Sequence, residues 1–223
     1  MRLVKTALLA ALAAPLLALA SDHPGSHPTP DQAIGLLKEG SGRFASGAPR
    51  HPDQGLARVK ELAAGQAPFA TVLSCSDSRV PPELVFDQGL GDLFVVRVAG
   101  NVADPVDLGS VEYAAEHLGV PAIVVLGHHQ CGAVKATAEA VAAGAKVEGN
   151  LGAIVREIAP AVETARKDPG AEGLLNDAAH ANAKRTAAAL VERSPVIKKL
   201  VDEGKVKIVV AVYDLGTGTV EWL

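Results

Sequence analysis

Two short stretches of this 223-residue chain carry residue types at spacings suited to chemistry. One is Cys75-Ser76-Asp77-Ser78-Arg79, the other Gly127-His128-His129-Gln130-Cys131-Gly132. A histidine and a cysteine spaced like His128 and Cys131 can hold one metal ion from a turn entering a helix. Adding the distant Cys75 makes a Cys₂His set and leaves a fourth position without a protein ligand. Three protein ligands and an open position are the pattern of catalytic rather than structural zinc. Two thiolates and an imidazole favour zinc among the common metals. Beside them, Asp77 and Arg79 can form a charge-assisted pair. Each fragment alone is weak evidence, because Cys-x-Asp and His-x-x-Cys arise by chance. The competing reading is structural: Cys75 and Cys131 are the only cysteines, and an oxidising compartment would normally join such a pair as a disulfide.

A shared metal requires a fold that brings the two stretches together. Residues 69–74, 93–98, 122–126 and 207–213 are short apolar runs rich in β-branched residues. Apolar on both faces, they suit buried parallel strands. Helical stretches separate the later runs, at 107–117, 133–143, a long region 151–193, and 196–202. The alternation predicts a single α/β domain over 31–223, its mainly parallel central sheet flanked by helices. Gly216-Thr217-Gly218 marks a tight turn, so 219–222 is expected to return as an antiparallel edge strand. At the other end, Asp31 is expected to cap a helix running to about Ser46, and a second helix to cover 55–64. Together these form an N-terminal helical arm, 31–64. Ligands of open α/β sheets gather at the carboxyl ends of the strands. Cys75 lies just past the first apolar run and His128 and Cys131 just past the third, so both stretches fall at one sheet edge.

Composition narrows the class. With 48% hydrophobic and 21% charged residues the chain can build one substantial core. Net charge is −4, and the absence of a basic run after the leader argues against a nucleic-acid partner. Residues 1–20 read as a signal peptide: Arg2 and Lys5, an apolar run from Ala7 to Leu19, and small residues at Ala18 and Ala20. The expectation is an exported protein, periplasmic or secreted, with no membrane attachment after cleavage. Residues 21–30, rich in Pro, Ser and Gly, read as a linker.

With these residues in place, the sequence resembles the β-class carbonic anhydrases over nearly all of the chain after the leader. The resemblance implies one Zn²⁺ per subunit on Cys75, His128 and Cys131, with Asp77 and Arg79 as the catalytic pair. It implies reversible hydration of carbon dioxide to bicarbonate and a proton by zinc-hydroxide attack. Plant-like members place a Gln, a Phe and a Tyr where this chain has Gln66, Phe94 and Tyr113, and a proton-transfer His where it has His117. A second subclass carries Trp where this chain has Val72, so the resemblance is to the plant-like subclass with an open site. Gln66, Val72, Phe94 and Tyr113 would then line the substrate pocket. The family also implies a homodimer or dimer-based tetramer, with the helical arm reaching across and pocket residues shared between chains. Other readings remain open at this level. The same site would suit carbonyl sulfide or carbon disulfide, or zinc storage. Tyr113 and His117, four apart on one helix, can simply pack on each other.

Overall fold

The β-branched runs form the strands β1 (Ala70–Ser74), β2 (Leu93–Arg97), β3 (Ala122–His128) and β4 (Lys207–Tyr213), followed by β5 (Val220–Trp222). The structure is a computed structural model and describes residues 27–167, Gly170 and 173–223. The expected signal peptide and residues 21–26 of the linker lie outside the described residues. The strands form one sheet in the order β2-β1-β3-β4-β5. The first four are mutually parallel and β5 runs antiparallel to β4. β1 and β3 are buried at every position, as strands covered on both faces must be. Because Ser74 pairs with Leu126, Cys75 and His128 emerge side by side at the carboxyl edge.

Among the described residues eight helices clothe the sheet: α1 (Pro30–Ala45), α2 (Leu56–Leu62), α3 (Pro82–Val85), α4 (Pro105–His117), α5 (Gly132–Ala143), α6 (Leu151–Lys167), α7 (Leu174–Arg193) and α8 (Pro195–Asp202). On one face α1 lays Ala33 and Leu37 against Val72, Val124 and Leu126, with Val85 and Phe86 filling the end of that layer. On the other, Val111 of α4, Leu190 of α7 and Ile197 of α8 pack on Leu73, Ile123 and Val125. A third cluster, made by α5, α6 and α7, encloses both cysteines. Each fully buried Leu, Ile or Val contributes about 1.5–3 kcal/mol.

The structure differs from these expectations in detail. The cap of α1 is Thr29, which exchanges capping-box hydrogen bonds with Gln32; Asp31 lies in the first turn and pairs with Lys207 instead. The long helical region 151–193 is two helices, α6 and α7, because the chain reverses between them and packs one on the other. α3 escapes periodicity analysis because four residues hold only about one turn. The helical arm also divides in two. α1 belongs to the core of its own chain, whereas α2 buries no residue and leaves Leu56 79% exposed.

Asp87 ties the link after α1 to the body of the domain. Its side chain is wholly buried and accepts from the amides of Arg50 and His51 and from Arg43 Nε at 2.6 Å. Burial pushes its pKa up, but the Arg50 amide, the Arg43 guanidinium and the His51 amide outweigh it, and the net shift is downward. Asp87→Ala is expected to lower unfolding free energy by about 2 kcal/mol at pH 7, since it strands two amides and a guanidinium. A carboxylate with a lowered folded pKa stabilises fully above its unfolded pKa of about 4. That contribution is lost as the pH falls through the folded value. Urea melts of parent and variant should therefore converge on acidification below about pH 4, and a gap that widens there would refute the assignment.

Candidate metal centre

The centre is assembled from the ends of β1 and β3 and the start of α5. Past β1, the ladder with β2 continues through Val98 N–H to the Ser74 carbonyl and Ser76 N–H to the Val98 carbonyl. This delivers Cys75 buried and Asp77 partly open. The Asp77 carboxylate is gripped by one residue. Arg79 donates from Nε to Oδ1 at 2.9 Å, from Nη2 to Oδ2 at 2.8 Å and from its backbone N–H to Oδ1 at 3.0 Å. The Arg79 side chain, opposed by partial burial, is the main reason the Asp77 carboxyl sits far below the usual carboxylate range.

His128 ends β3 with no exposed surface. Its Nδ1 lies 2.9 Å from the carbonyl of His129. A carbonyl only accepts, so Nδ1 carries the proton and Nε2 keeps its lone pair. Among the described residues Nε2 has no hydrogen-bond partner although it is buried. An orphan of that kind requires an explanation, and a metal ion supplies one. Cys131 stands at the N-cap of α5. The ligand atoms of Cys75, His128 and Cys131 all lie within 4.8 Å of one another. Bonds of about 2.3 Å to sulfur and about 2.0 Å to nitrogen bridge such a spread. The donor set therefore fits zinc.

Both cysteines are free and buried, so the disulfide reading does not describe this structure. The pair shares one proton. The Cys131 thiol donates toward Cys75, and this bond, with the Gly100 amide, outweighs burial and pulls the Cys75 thiol down. The same interaction, with burial and the charge on Cys75, pushes Cys131 up. A dication placed between them would displace that proton and favour both thiolates.

Arg97 belongs to the site and was not singled out from the sequence. Its Nε donates to the Cys75 carbonyl at 3.0 Å and its Nη2 to the Asp77 carbonyl at 2.6 Å. It thereby braces the loop that carries both residues. An arginine closing an apolar strand has no distinctive signature, and the carbonyls it binds are invisible to pattern reading.

The remaining candidates are not brought to the metal ligands within one chain. Val72 is sealed in the core on the α1 face of the sheet. Phe94 pairs with Thr71 in β2, four residues before Cys75 along the strands, or about 13 Å at the usual rise. Its ring lies 6.2 Å from Tyr113, which lies 5.3 Å from His117. Gln66 is exposed ahead of β1, at the amino end of the sheet. His129 engages Asp214 at 3.1 Å.

A mainly parallel α/β sheet with a buried Cys₂His triad and an arginine-locked aspartate at its carboxyl edge defines an α/β domain with a candidate metal site in the usual place for this architecture. Comparison with known proteins supplies the family. The family model described as carbonic anhydrase matches residues 70–220. Carbonic anhydrase 2 of Mycobacterium tuberculosis is 43% identical over 197 residues, covering 87% of this chain and 92% of the relative. The carbonic anhydrase of Mycolicibacterium smegmatis is 45% identical over 198 residues, covering 89% and 94%. Among solved structures, the Coccomyxa β-carbonic anhydrase in complex with acetazolamide superposes with a TM-score of 0.64 at 25% identity, covering 74% of this chain and 75% of that one. The β-carbonic anhydrase of Aspergillus fumigatus gives 0.66 at 27% identity, covering 86% and 89%. This chain belongs to the carbonic anhydrase family, and to its β class.

Proposed function

We propose that the protein is a zinc enzyme interconverting carbon dioxide and bicarbonate, of the plant-like subclass with an open metal site. The observation that carries this reading is the orphaned Nε2 of His128, facing two buried cysteines beside an aspartate locked by Arg79. Zinc, when bound, supplies the charge that makes water a nucleophile near neutral pH. The chain's own residues do the rest. The His129 carbonyl holds the imidazole in the tautomer that offers Nε2 outward. Asp77, ionised and 3.8 Å from that Nε2 through Oδ2, is placed to accept a hydrogen bond from the attacking water or hydroxide and aim its lone pair. Both Asp77 oxygens are engaged by Arg79, and this keeps the carboxylate from becoming a fourth ligand. Val98, Val102 and Ala133 pack around the cysteines and offer a nonpolar gas an apolar wall.

The pocket is completed by a second copy of the chain. Among the described residues β2 is an edge strand with one neighbour, and exposed Leu90, Val106 and Tyr113 lie close to it in sequence or packing. Such an edge invites pairing. Docking a second copy there carries Gln66, Phe94 and Tyr113 of one chain toward the metal of the other, with exposed His117 as a route for the proton. The exposed helix α2 is the part of the arm left to reach across.

Stopped-flow carbon dioxide hydration, with zinc content and sedimentation mass taken on the same sample, tests both parts. Turnover proportional to zinc, in a species of at least two chains, is expected. Bound zinc without turnover would favour storage or another substrate such as carbonyl sulfide, and full turnover by a monomer would remove the shared pocket.

A further inference from the structure

Cys75 Sγ accepts a hydrogen bond from the amide of Gly100 at 3.3 Å. That amide belongs to a short 3₁₀ turn, Ala99–Asn101, just past β2. Gly100 sits at φ 76°, in the left-handed region, and a Cβ there would meet Ile158 Cδ1 at 2.5 Å. A glycine in so open a conformational basin needs something to hold it. The Gly100 carbonyl receives Nδ2 of Asn182 at 2.7 Å. Asn182 lies midway along α7 and is 1% exposed, between the buried alanines Ala179 and Ala183. Burying an amide costs free energy unless it is bonded, and an apolar residue would pack there more simply. Because its acceptor is a carbonyl, its NH₂ group must face Gly100.

We infer that Asn182 is a positioning residue: by fixing the Gly100 carbonyl it directs the Gly100 amide at the Cys75 sulfur and so holds this ligand in the orientation a bound metal requires. The inference rests on the zinc reading of Cys75, His128 and Cys131. A hydrogen bond to the sulfur orients the ligand, and losing outer-sphere partners of this kind typically weakens metal affinity 10–100-fold. The two contacts form one relay from α7 to the ligand, so losing the first frees the second.

The test loads the full chain with ¹¹³Cd and reads the coupling between the metal and the Gly100 amide proton through the N–H···S contact. The parent should show it; a ¹¹³Cd-loaded parent without it overturns the inference, whatever the variants do. A parent that takes up no cadmium at the thiolates overturns the zinc reading itself. Asn182→Leu, close in volume and without donors, should lose the coupling and weaken zinc about tenfold in chelator competition. A folded Asn182→Leu that keeps both coupling and affinity overturns the inference. Leu190→Ala, which opens the core on the same helix away from the turn, should leave the coupling in place. A coupling lost equally there would reduce Asn182 to a general packing residue.

Discussion

Cys131→Ser is expected to empty the metal site and lower carbon dioxide hydration below about a thousandth of the parent rate. A serine hydroxyl stays protonated at neutral pH and offers a buried metal no negative sulfur, leaving two of three protein ligands. Serine is slightly smaller than cysteine and suits the N-cap of α5, so the fold should survive. Zinc analysis and stopped-flow rates on one sample give the result. The thermal midpoint supplies a control, because a metal that binds only the folded state raises it. Chelator should therefore lower the midpoint of the parent and leave that of Cys131→Ser unmoved. A Cys131→Ser protein with full zinc and near-parent turnover would refute the ligand assignment.

The second large effect is expected at Asp77. Asp77→Asn should lower kcat/KM about 10²–10³-fold, the scale for removing a preorganised polar contact from a transition state, while zinc content stays at the parent level. An amide keeps the size of the carboxylate but replaces one acceptor with a donor. It breaks the two-pronged grip of Arg79 and turns an N–H toward either the guanidinium or the reacting water. Stability should change little, because the Arg79 side chain is half exposed and an ion pair so wetted contributes little to folding. Unchanged melting with a collapsed rate would mark Asp77 as acting on the chemistry. A rate within tenfold of parent, with zinc retained, would remove it from the mechanism.

Much of this was legible before any fold was known, for reasons that differ by residue. Two cysteines in the whole chain, each followed or preceded by a polar partner at ligand spacing, stand out because so few competing residues exist. The strands were legible because β-branched runs between helical stretches leave few topologies. Helix detail was not. Thr29 took the cap from Asp31 because both suit that position and only the chain's entry angle chooses. The α6–α7 reversal was hidden inside one helical pattern.

The sequence by itself determined which side chains could bind a soft metal, which runs must be buried, and where the chain could turn. These are properties of residue type and local period, written within a few positions of each residue. The tertiary structure alone decided that β1 and β3 are neighbours, so that residues far apart in sequence share one cavity. It also decided the outer layer, in which Arg97 holds two loop carbonyls and Asn182 reaches the turn beside Cys75. It separated Gln66, Phe94 and Tyr113 from the Cys75, His128 and Cys131 cluster of their own chain. Contacts to backbone atoms and across long loops depend on where the whole fold places them. Ordinary arginines and asparagines carry no local mark of such partners, because what selects them is the cost of leaving buried polar groups unpaired.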